Sequence, residues 1–512
     1  MSIHKVRAAG GLWRRFAATA QDRSGHPALI QGERMVDFAE LACMAATNAA
    51  VLDDHGVKPG DRCLVWAEAS AETAAMILGI WHVGGIVALV SDDAPLGHFV
   101  HAAAIVAPAI AIVSAAIHTA AHGSVSCPVI LLRDETASPL DTLASPTIAD
   151  TSPASILFTS GSSGRPKGVT QSHGNLVAGC AMVAEHLGLR VDDRIFCPVP
   201  WAFDYGYGQF LSTIVLGITQ VLPTARNPFS MCDAIARHRP TVFVGLSSIF
   251  AQLIRGISPV RETDLSSLRL VTNTGGAIPP ALYADVVQLF GHCEISLNYG
   301  LSETYRSAGL PVELAGVHPT SVGFAYPGVA ICIMRDDGNE AATDETGEIV
   351  HRGTGVFLGY WGQPEQTALV RRPDPLWPHS EISAPMAVFT GDLGWKDADG
   401  RLFVKGRRDR QIKSMGVRVS PDEIESLLRS SGLVSDVAIV GVPHEMVGEM
   451  VTAMFVVADD APDPVPQLKV FARTCMSQHM QPRAYHRVNS LPLTPNGKTD
   501  FGTIKAMLAG RP

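Results

Sequence analysis

Hydrophobic and polar positions follow two different periods along the first two thirds of the chain. Between Asp61 and Asp92, a short apolar run, CLVWAE, precedes AETAAMILGIWHVGG, whose apolar residues recur at helical spacing, and a second apolar run, IVALV, follows. Similar runs return at IAIV, PVILL, TVFVGL and LRLVTN. Apolar strands that alternate with helices are typical of parallel sheets covered by crossover helices. The pattern therefore predicts a large α/β domain.

The most apolar stretch, AAAIVAPAIAIVSAAI, runs from Ala102 to Ile117. It is shorter than the roughly 20 residues that a membrane-spanning helix needs, and Pro108 interrupts it. We therefore expect a buried helix that ends near Pro108, a buried strand after it, and no membrane span.

The pattern changes after about residue 385. VFTGDLGWKDADGRLFVKGRRDRQIKSMG has short strand-like runs separated by acidic, glycine-containing turns, which favours antiparallel hairpins. In SPDEIESLLRSS, Ser420 is placed as an N-cap, Pro421 as the first helical residue and Glu423 as a capping-box carboxylate. VSDVAIVGV and MVTAMFVVA read as strands. We predict a small α+β domain, with the division of the chain at 1–408 and 409–512.

Composition limits the class of protein. The 512 residues exceed one ordinary domain, 46% are hydrophobic, and the net charge of −9 offers no basic field for a nucleic acid. The nine cysteines are scattered, with no CxxC pair and no zinc spacing, which favours reduced thiols in the cytoplasm. The first residues carry positive charges without an apolar core after them, so they make a poor signal peptide.

The strongest local motif is SILFTSGSSGRPKG, from Ser155 to Gly168. An apolar strand leads into a loop of glycines and hydroxyl residues with one lysine, Lys167. Glycines let backbone N–H groups approach phosphate oxygens, and a lysine supplies a positive charge. The spacing is not that of a Walker loop. Taken alone, the motif is compatible with phosphate binding and equally with a flexible turn.

FTSGSSGRPKG resembles the signature loop of the adenylate-forming superfamily, which comprises acyl-CoA synthetases, luciferases and peptide-synthetase adenylation domains. Further stretches match the motifs of that family, in the family's order: TNTGGA (Thr272 to Ala277), NYGLSET (Asn298 to Thr304), TGDLG (Thr390 to Gly394), GRRDRQIKSMGVRVSPDEIE (Gly406 to Glu425) and LPLTPNGKTD (Leu491 to Asp500). The resemblance implies a large N-terminal domain and a small mobile C-terminal domain. It also implies that ATP and Mg²⁺ convert a carboxylic acid to an acyl-adenylate with release of pyrophosphate, before transfer to a thiol.

The resemblance further implies a nucleotide-binding set: Thr159, Ser160, Gly161, Ser162, Ser163, Gly164, Lys167, Gly275, Gly276, Ala277, Asn298, Tyr299, Gly300, Ser302, Asp392 and Arg407. In the family, the loop from Thr159 to Lys167 closes over the β- and γ-phosphates. The Gly275–Gly276 turn lies along the adenine.

Four residues of the matching motifs acquire individual roles in the same way. The resemblance puts Tyr299 against the adenine, Ser302 at the α-phosphate and Glu303 on Mg²⁺, which prefers hard carboxylate oxygens. Asp392 resembles the aspartate that accepts hydrogen bonds from both ribose hydroxyls.

Arg407 resembles an arginine that reaches the ribose or phosphate, and the rest of the family's machinery maps to the tail. Lys498 resembles the lysine that contacts both the substrate carboxylate and the α-phosphate, where a cation is needed between two anions. Asp409 resembles the hinge residue about which the small domain rotates after adenylation. Gly416 resembles the glycine that lines the thiol tunnel in the second arrangement. The catalytic residues implied are thus Lys498, Glu303 and Lys167.

The substrate region departs from the acyl-CoA synthetase pattern. VPWAFDYGYGQF, from Val199 to Phe210, has Phe203 where many of these enzymes carry a histidine, and Phe203–Asp204 resembles the Phe-Asp pair of amino-acid adenylation domains. There the aspartate binds the substrate ammonium. Asp204 could equally pair with a protein group or face solvent. Stand-alone bacterial acyl-CoA ligases look similar here, so the acceptor is coenzyme A or the phosphopantetheine of an acyl or peptidyl carrier protein.

Two other classes compete with an acid–thiol ligase. GSSG at Gly161 to Gly164 resembles the serine-rich loop of amidase-signature hydrolases, which also need a lysine base, and Lys58 is the only lysine between Lys5 and Lys167. A non-catalytic relative that binds acid or nucleotide is the other. Retention of Lys167, Glu303, Asp392 and Lys498 argues against it.

Overall fold

The computed structural model of the protein describes residues 10–132, 144–160, 166–275, 278, 280–311, 314, 320–378, 383–414, 417–444, 448–457, 463–476, 480–494 and 498–508. The described residues separate into two compact units. The first unit contains those within Met1–Thr159, Pro166–Cys332 and Val350–Phe389. The second contains Ser160 and those within Ile333–Ile349 and Thr390–Pro512.

Eleven helices and twenty strands lie in the described residues as far as residue 396. The helices are α1 (Gly11–Asp22), α2 (Phe38–Asp54), α3 (Ala71–His82), α4 (Leu96–Val106), α5 (Ala115–Ala121), α6 (His173–His186), α7 (Asp204–Leu216), α8 (Pro228–His238), α9 (Ser247–Arg255), α10 (Pro280–Phe290) and α11 (Pro364–Val370). The strands are β1 (Pro27–Gln31), β2 (Arg34–Asp37), β3 (Arg62–Trp66), β4 (Ile86–Val90), β5 (Ile110–Val113), β6 (Val129–Leu131), β7 (Pro153–Ser160), β8 (Pro166–Ser172), β9 (Arg194–Phe196), β10 (Thr219–Leu222), β11 (Val242–Gly245), β12 (Leu270–Asn273), β13 (Glu294–Tyr299), β14 (Ala308–Leu310), β15 (Phe324–Ala325), β16 (Val329–Met334), β17 (Gly347–Gly353), β18 (Gly359–Tyr360), β19 (Arg371–Pro373) and β20 (Met386–Lys396).

The remaining elements form the tail of the chain. The strands are β21 (Leu402–Arg407), β22 (Ile412–Ser414), β23 (Val417–Val419), β24 (Asp436–His444), β25 (Gly448–Val456) and β26 (Ala484–Arg487). The helices are α12 (Pro421–Ser430), α13 (Val465–Cys475) and α14 (Phe501–Leu508), with one turn of 3-10 helix at Arg408–Arg410.

A nine-stranded sheet in the first unit has the order β15-β14-β13-β12-β11-β9-β10-β1-β2. The six strands from β13 to β1 run parallel to their neighbours, whereas β14, β15 and β2 pair antiparallel at the two edges. Four buried phenylalanines, Phe196, Phe243, Phe250 and Phe290, pack beside one another beneath it, with ring centroids of the contacting pairs 5.3 to 6.2 Å apart. Parallel strands bring their carboxyl ends to one edge, which is where open α/β sheets bind ligands.

A seven-stranded sheet in the same unit has the order β18-β8-β7-β4-β3-β5-β6. The pairs β3–β4, β3–β5, β4–β7 and β5–β6 are parallel, which confirms the fold predicted from the apolar runs. The stretch around Pro108 forms helix α4 and buried strand β5, as expected. In the described part of the chain, we find no helix long and apolar enough to cross a membrane.

The second unit is built on a five-stranded sheet of order β23-β22-β25-β24, with β26 parallel to β25. Strands β24 and β25 pair along their whole length, from Asp436 opposite Val456 to His444 opposite Gly448. Ile424 and Leu428 of α12 are fully or almost fully buried in its core. This is the α+β tail that the sequence predicts, and the nine cysteines, all in described ranges, are free.

One local detail of the tail differs from the prediction. Helix α12 begins at Pro421 after Ser420, but the Ser420 side chain makes no capping hydrogen bond. Its hydroxyl donates instead to the backbone carbonyl of Lys405 at 3.4 Å. The helix therefore starts where expected without the Ser420–Glu423 capping box, because a neighbouring strand competes for the hydroxyl.

Candidate active site

The carboxyl edge of the nine-stranded sheet carries several of the predicted nucleotide-binding residues. Thr274 donates its hydroxyl to the backbone carbonyl of Asn298 at 3.1 Å, and the Asn298 amide nitrogen donates to the carbonyl of Asn273 at 3.0 Å. Tyr299, half-buried, ends strand β13 beside them. Gly275 follows β12 with a φ of +81°, a conformation that favours glycine. The Gly275 turn and the Asn298–Tyr299 strand end are therefore joined in one network, whereas Gly276 and Ala277 lie outside the described residues.

The loop from Gly300 to Ser307 leaves this edge and is held by several hydrogen bonds. The Ser302 carbonyl accepts from the Gln171 amide at 2.9 Å, and the Glu303 carbonyl accepts from the Phe357 N–H at 3.0 Å. A Cβ at Gly300 would lie 2.9 Å from the Cα of Arg306, so the turn is too tight for a larger residue. Ser302 and Glu303 are consequently held in place through their backbone carbonyls.

Tyr360 links two of the residues assigned to catalysis. Its hydroxyl donates to Glu303 Oε1 at 2.7 Å, and the Lys167 ammonium lies 4.8 Å from the centroid of its ring. Lys167 Nζ also donates to Gln366 Oε1 at 3.2 Å. One aromatic side chain thus holds an acidic and a basic group on the same side of the first unit. Thr159 lies near the end of the preceding strand, β7; Gly161, Ser162, Ser163 and Gly164 lie outside the described residues, and nothing is described of the Ser160 side chain.

Buried hydroxyls and a histidine support the Glu303 loop from beneath. The Leu301 N–H donates to Thr304 Oγ1 at 3.1 Å, the Thr304 and Ser307 hydroxyls are 3.0 Å apart, and Ser307 Oγ lies 3.0 Å from His351 Nδ1. His351 Nε2 is 2.7 Å from the carbonyl of Thr354, which can only accept. The proton of the neutral ring is therefore on Nε2, and Nδ1 faces the Ser307 hydroxyl.

Burial lowers the pKa of His351 from 6.5 to about 4, against an opposing effect of its hydrogen bond to Thr354. Between these two pKa values the unfolded chain binds more protons than the folded chain. The contribution of the neutral His351 to the free energy of unfolding is therefore fully present above pH 6.5 and is lost as the pH falls toward 4. When the pH is lowered from 7.5 to 5, the free energy of unfolding should fall in both proteins. We expect the fall to be about 2 kcal/mol smaller in His351→Gln than in the wild type, because the variant has no imidazole to protonate. Urea unfolding at the two pH values measures this.

His122→Gln, at an exposed histidine, serves as the matched control for that experiment and should lose as much stability as the wild type. An unchanged pH dependence in His351→Gln would contradict a neutral buried His351.

Asp204 begins helix α7, and Phe203 precedes it. The Asp204 Oδ2 atom accepts from Nη1 of Arg306 at 3.2 Å, and the Arg306 guanidinium lies over the Tyr205 ring at 4.8 Å. Of the three environments considered for Asp204, the structure therefore supplies a protein cation as partner. Arg306 is 3% exposed, and the Asp204 side chain is 27% exposed.

Asp392 and Arg407 pair across the hairpin of β20 and β21, where they are directly opposite. Arg407 Nη1 donates to Asp392 Oδ1 at 3.2 Å and to the Thr390 carbonyl at 2.7 Å, while Nε donates to Asp409 Oδ1 at 3.1 Å. Burial lowers the pKa of Arg407, but the carboxylates of Asp392 and Asp409 have the larger combined effect and raise the pKa above its usual range. The ribose and hinge candidates therefore share one guanidinium.

Lys498 lies in a turn closed by two hydrogen bonds with Thr494. Its N–H donates to the Thr494 hydroxyl at 3.2 Å, and its carbonyl accepts from the Thr494 N–H at 2.7 Å. The residue is exposed, and its ammonium has no partner within the ranges of the chain that the structure describes. Gly416 lies outside the described residues.

Three residues near these groups escaped the sequence-based prediction: Arg306, His351 and Tyr360. A charged residue two positions after NYGLSET, in the otherwise uncharged YRSAGL, is a signal that could have identified Arg306. His351 and Tyr360 give no such signal, since each lies some fifty residues beyond the loop that it contacts.

Comparison with known proteins assigns the family. The model of the AMP-binding enzyme family matches residues 16–361, and that of the AMP-binding enzyme C-terminal domain matches residues 423–498. The chain is 28% identical to the 3-hydroxybenzoate–CoA ligase of Aromatoleum sp. (strain CIB), over 96% of this chain and 95% of that protein. It is also 28% identical to tyrocidine synthase 3 of Brevibacillus parabrevis, over 94% of this chain and 7% of that protein.

Among solved structures, ATP-bound MatB from Rhodopseudomonas palustris has the same fold, with a TM-score of 0.88 over 98% of this chain and 99% of that one at 24% identity. The chain belongs to the AMP-binding enzyme family. It is an AMP-forming ligase, which uses ATP to convert a carboxylic acid to an acyl-adenylate and then forms a thioester.

Proposed function

We propose that this ligase transfers its acid to free coenzyme A, and that Lys167, Glu303, Asp392, Arg407 and Lys498 carry the activation step. The observation on which the assignment depends most is the Lys167–Tyr360–Glu303 contact, since it brings a cation and a carboxylate from distant motifs together. Free coenzyme A is favoured because the CoA-ligase relative matches from end to end, whereas the peptide synthetase matches over a small part of its length.

In the activation step, a carboxylate oxygen of the acid attacks the α-phosphorus of ATP and pyrophosphate leaves. Lys498 would hold the two anions together, because a cation between them stabilises the charge that shifts in the transition state. In the second step the thiol sulfur attacks the acyl carbon, AMP leaves, and the thiol proton is released. Lys167 would neutralise the leaving pyrophosphate.

The residues present fit a magnesium ion. Glu303 offers a carboxylate with Oε1 oriented by the Tyr360 hydroxyl. In the described part of the chain, no group of three His, Cys, Asp or Glu side chains could hold a metal ion alone. Mg²⁺ is normally bound by one or two carboxylates together with phosphates and water, so Glu303 would hold it in company with ATP. When bound, it would supply charge neutralisation at the phosphates.

Asp392 suits the ribose because its carboxylate is held in place through Oδ1 by Arg407. A carboxylate accepts several hydrogen bonds at once, so it can also accept from ribose hydroxyls. We also propose that Asp409 is the pivot between domains 1–408 and 409–512, and that Gly416 lines the thiol path.

Amino-acid activation with loading of a carrier protein is the less supported alternative. The Asp204 carboxylate that would bind the substrate ammonium already has Arg306 as its partner. An amidase is disfavoured as well, because its candidate base, Lys58, is an exposed lysine 3.9 Å from Asp53 at the surface. A cytoplasmic location stays a prediction.

ATP–pyrophosphate exchange with fatty, aryl and amino acids, followed by thioester formation with coenzyme A, tests the proposal. We expect exchange with acids that lack an α-amino group, and an acyl-CoA product. Exchange with amino acids but not with their deaminated analogues, or a requirement for a carrier protein, would overturn it.

A further inference from the structure

The Arg306 guanidinium is a buried cation whose hydrogen-bonding capacity is only partly used. Its Nη1 group donates to Asp204 Oδ2 at 3.2 Å and to the Tyr305 carbonyl at 2.5 Å. In the part of the chain that the structure describes, the N–H of Nε and both N–H groups of Nη2 have no partner. The side chain is 4% exposed and is held by Asp204 and the Tyr205 ring, so the guanidinium keeps a fixed orientation. Its Nε and Nη2 groups are therefore pre-positioned donors that a ligand can use.

The pair occupies the position of a ligand site in the fold. Asp204 lies in the segment that follows β9, and Arg306 lies in the segment that follows β13, two strands of the parallel part of the nine-stranded sheet. Both segments leave the carboxyl edge, where such sheets bind ligands. Glu303, three residues before Arg306, belongs to the same loop. A ligand on Arg306 would therefore lie beside the reacting groups.

The backbone fixes this arginine in place. Tyr305 has a φ of +62°, a left-handed conformation that costs free energy in a tyrosine. Its ring lies against Gly179 of α6, where a Cβ would be 2.6 Å from the ring, and its hydroxyl lies 3.2 Å from a Cβ built at Gly208 of α7. Only glycines leave room for the ring, so the strained residue is held on both sides. Arg306, directly after it, is directed by a rigid turn.

Charge balance decides the chemistry of the ligand. The charges of Arg306 and Asp204 cancel. A second carboxylate on the bound acid would therefore bury a net negative charge at this point, and an ammonium group would bury a net positive charge. An uncharged oxygen accepts from Nε and Nη2 without that cost, and a hydroxyl can also donate to Asp204 Oδ1.

From these observations we infer that Arg306, oriented by Asp204, selects carboxylic acids that carry an uncharged hydroxyl or keto oxygen away from the reacting carboxylate. The inference rests on the proposed function, because it assigns the acid to the Phe203–Asp204 region.

ATP–pyrophosphate exchange with two matched series of acids tests the selection. The first comprises benzoate, 3-hydroxybenzoate, isophthalate and 3-(aminomethyl)benzoate; the second comprises pentanoate, 4-oxopentanoate, glutarate and 5-aminopentanoate. In at least one series we expect kcat/KM for the oxygenated acid to exceed that of the plain acid by about 10-fold or more, the usual effect of a hydrogen bond to a charged donor. Equal kcat/KM values for the oxygenated and the plain acid in both series, or a preference for the charged acids, would overturn the inference.

For each variant, the kcat/KM for the oxygenated acid is divided by the kcat/KM for the plain acid. A general loss of activity affects both values equally and cancels in this ratio. Asp204→Asn/Arg306→Met removes both charges together, which avoids an unpaired buried ion, and should bring the ratio close to one. Arg306→Lys keeps a positive charge and should retain part of the wild-type ratio. An unchanged ratio in the double variant would show that Arg306 is structural only. Exchange with no acid at all would instead contradict the proposed function.

Discussion

Lys498→Ala should reduce ATP–pyrophosphate exchange by about 100-fold or more, while thioester formation from supplied acyl-adenylate is largely retained. Lys498 lies in a hydrogen-bonded turn, is exposed, and has an ammonium without a partner in the described residues. Its removal should therefore leave the fold intact and take away only the cation that is proposed to bring the acid and the α-phosphate together. Measuring both half-reactions separates its role in activation from one in transfer.

Lys469→Ala is the matched control for Lys498, because it removes an exposed lysine from helix α13 of the same unit. It should exchange pyrophosphate at the wild-type rate. Undiminished exchange by Lys498→Ala would show that this lysine does not drive adenylation and would remove the basis for assigning it.

Glu303→Gln should lower kcat for adenylation by about 100-fold or more and raise the magnesium concentration at half-maximal rate. In the wild type, the Tyr360 hydroxyl lies 2.7 Å from Glu303 Oε1. Glutamine keeps the size of the side chain and an oxygen that can accept this hydrogen bond. What it removes is the negative charge that Mg²⁺ requires. Rates measured across a magnesium titration, at saturating ATP and acid, report both effects.

The matched control is Glu262→Gln, which removes an exposed carboxylate elsewhere in the first unit. Its magnesium dependence should be that of the wild type. If Glu303→Gln also kept the wild-type magnesium curve, Glu303 would not be the metal ligand, whatever the loss in rate.

Much of the fold could be predicted because apolar runs and helical periods are local properties of the sequence. CLVWAE, AETAAMILGIWHVGG and IVALV became β3, α3 and β4 in the predicted parallel arrangement. The break at Pro108 was equally readable, because proline lacks the N–H that a helix interior needs. The capping box at Ser420 was wrong, because a tertiary contact with Lys405 decided where its hydroxyl donates.

The candidate site could be predicted only as far as its motifs reach. Sequence could identify Glu303 and Lys167 but not the Tyr360 that connects them, since that contact depends on how distant segments meet. The same holds for Asp204. Its partner, Arg306, is 102 positions away, and no local pattern distinguishes a carboxylate paired with an arginine from one that awaits a substrate ammonium.

With Asp392 at the ribose and Asp409 as the pivot, as proposed above, the shared guanidinium of Arg407 would make nucleotide binding and the pivot energetically dependent on one another. Because Arg407 donates to both Asp392 and Asp409, any ligand that changes the hydrogen bonding of the first carboxylate changes the field at the second. The linker would then respond to the sugar of the nucleotide through a single side chain. Such a network would transmit the arrival of a nucleotide to the linker without a separate sensor.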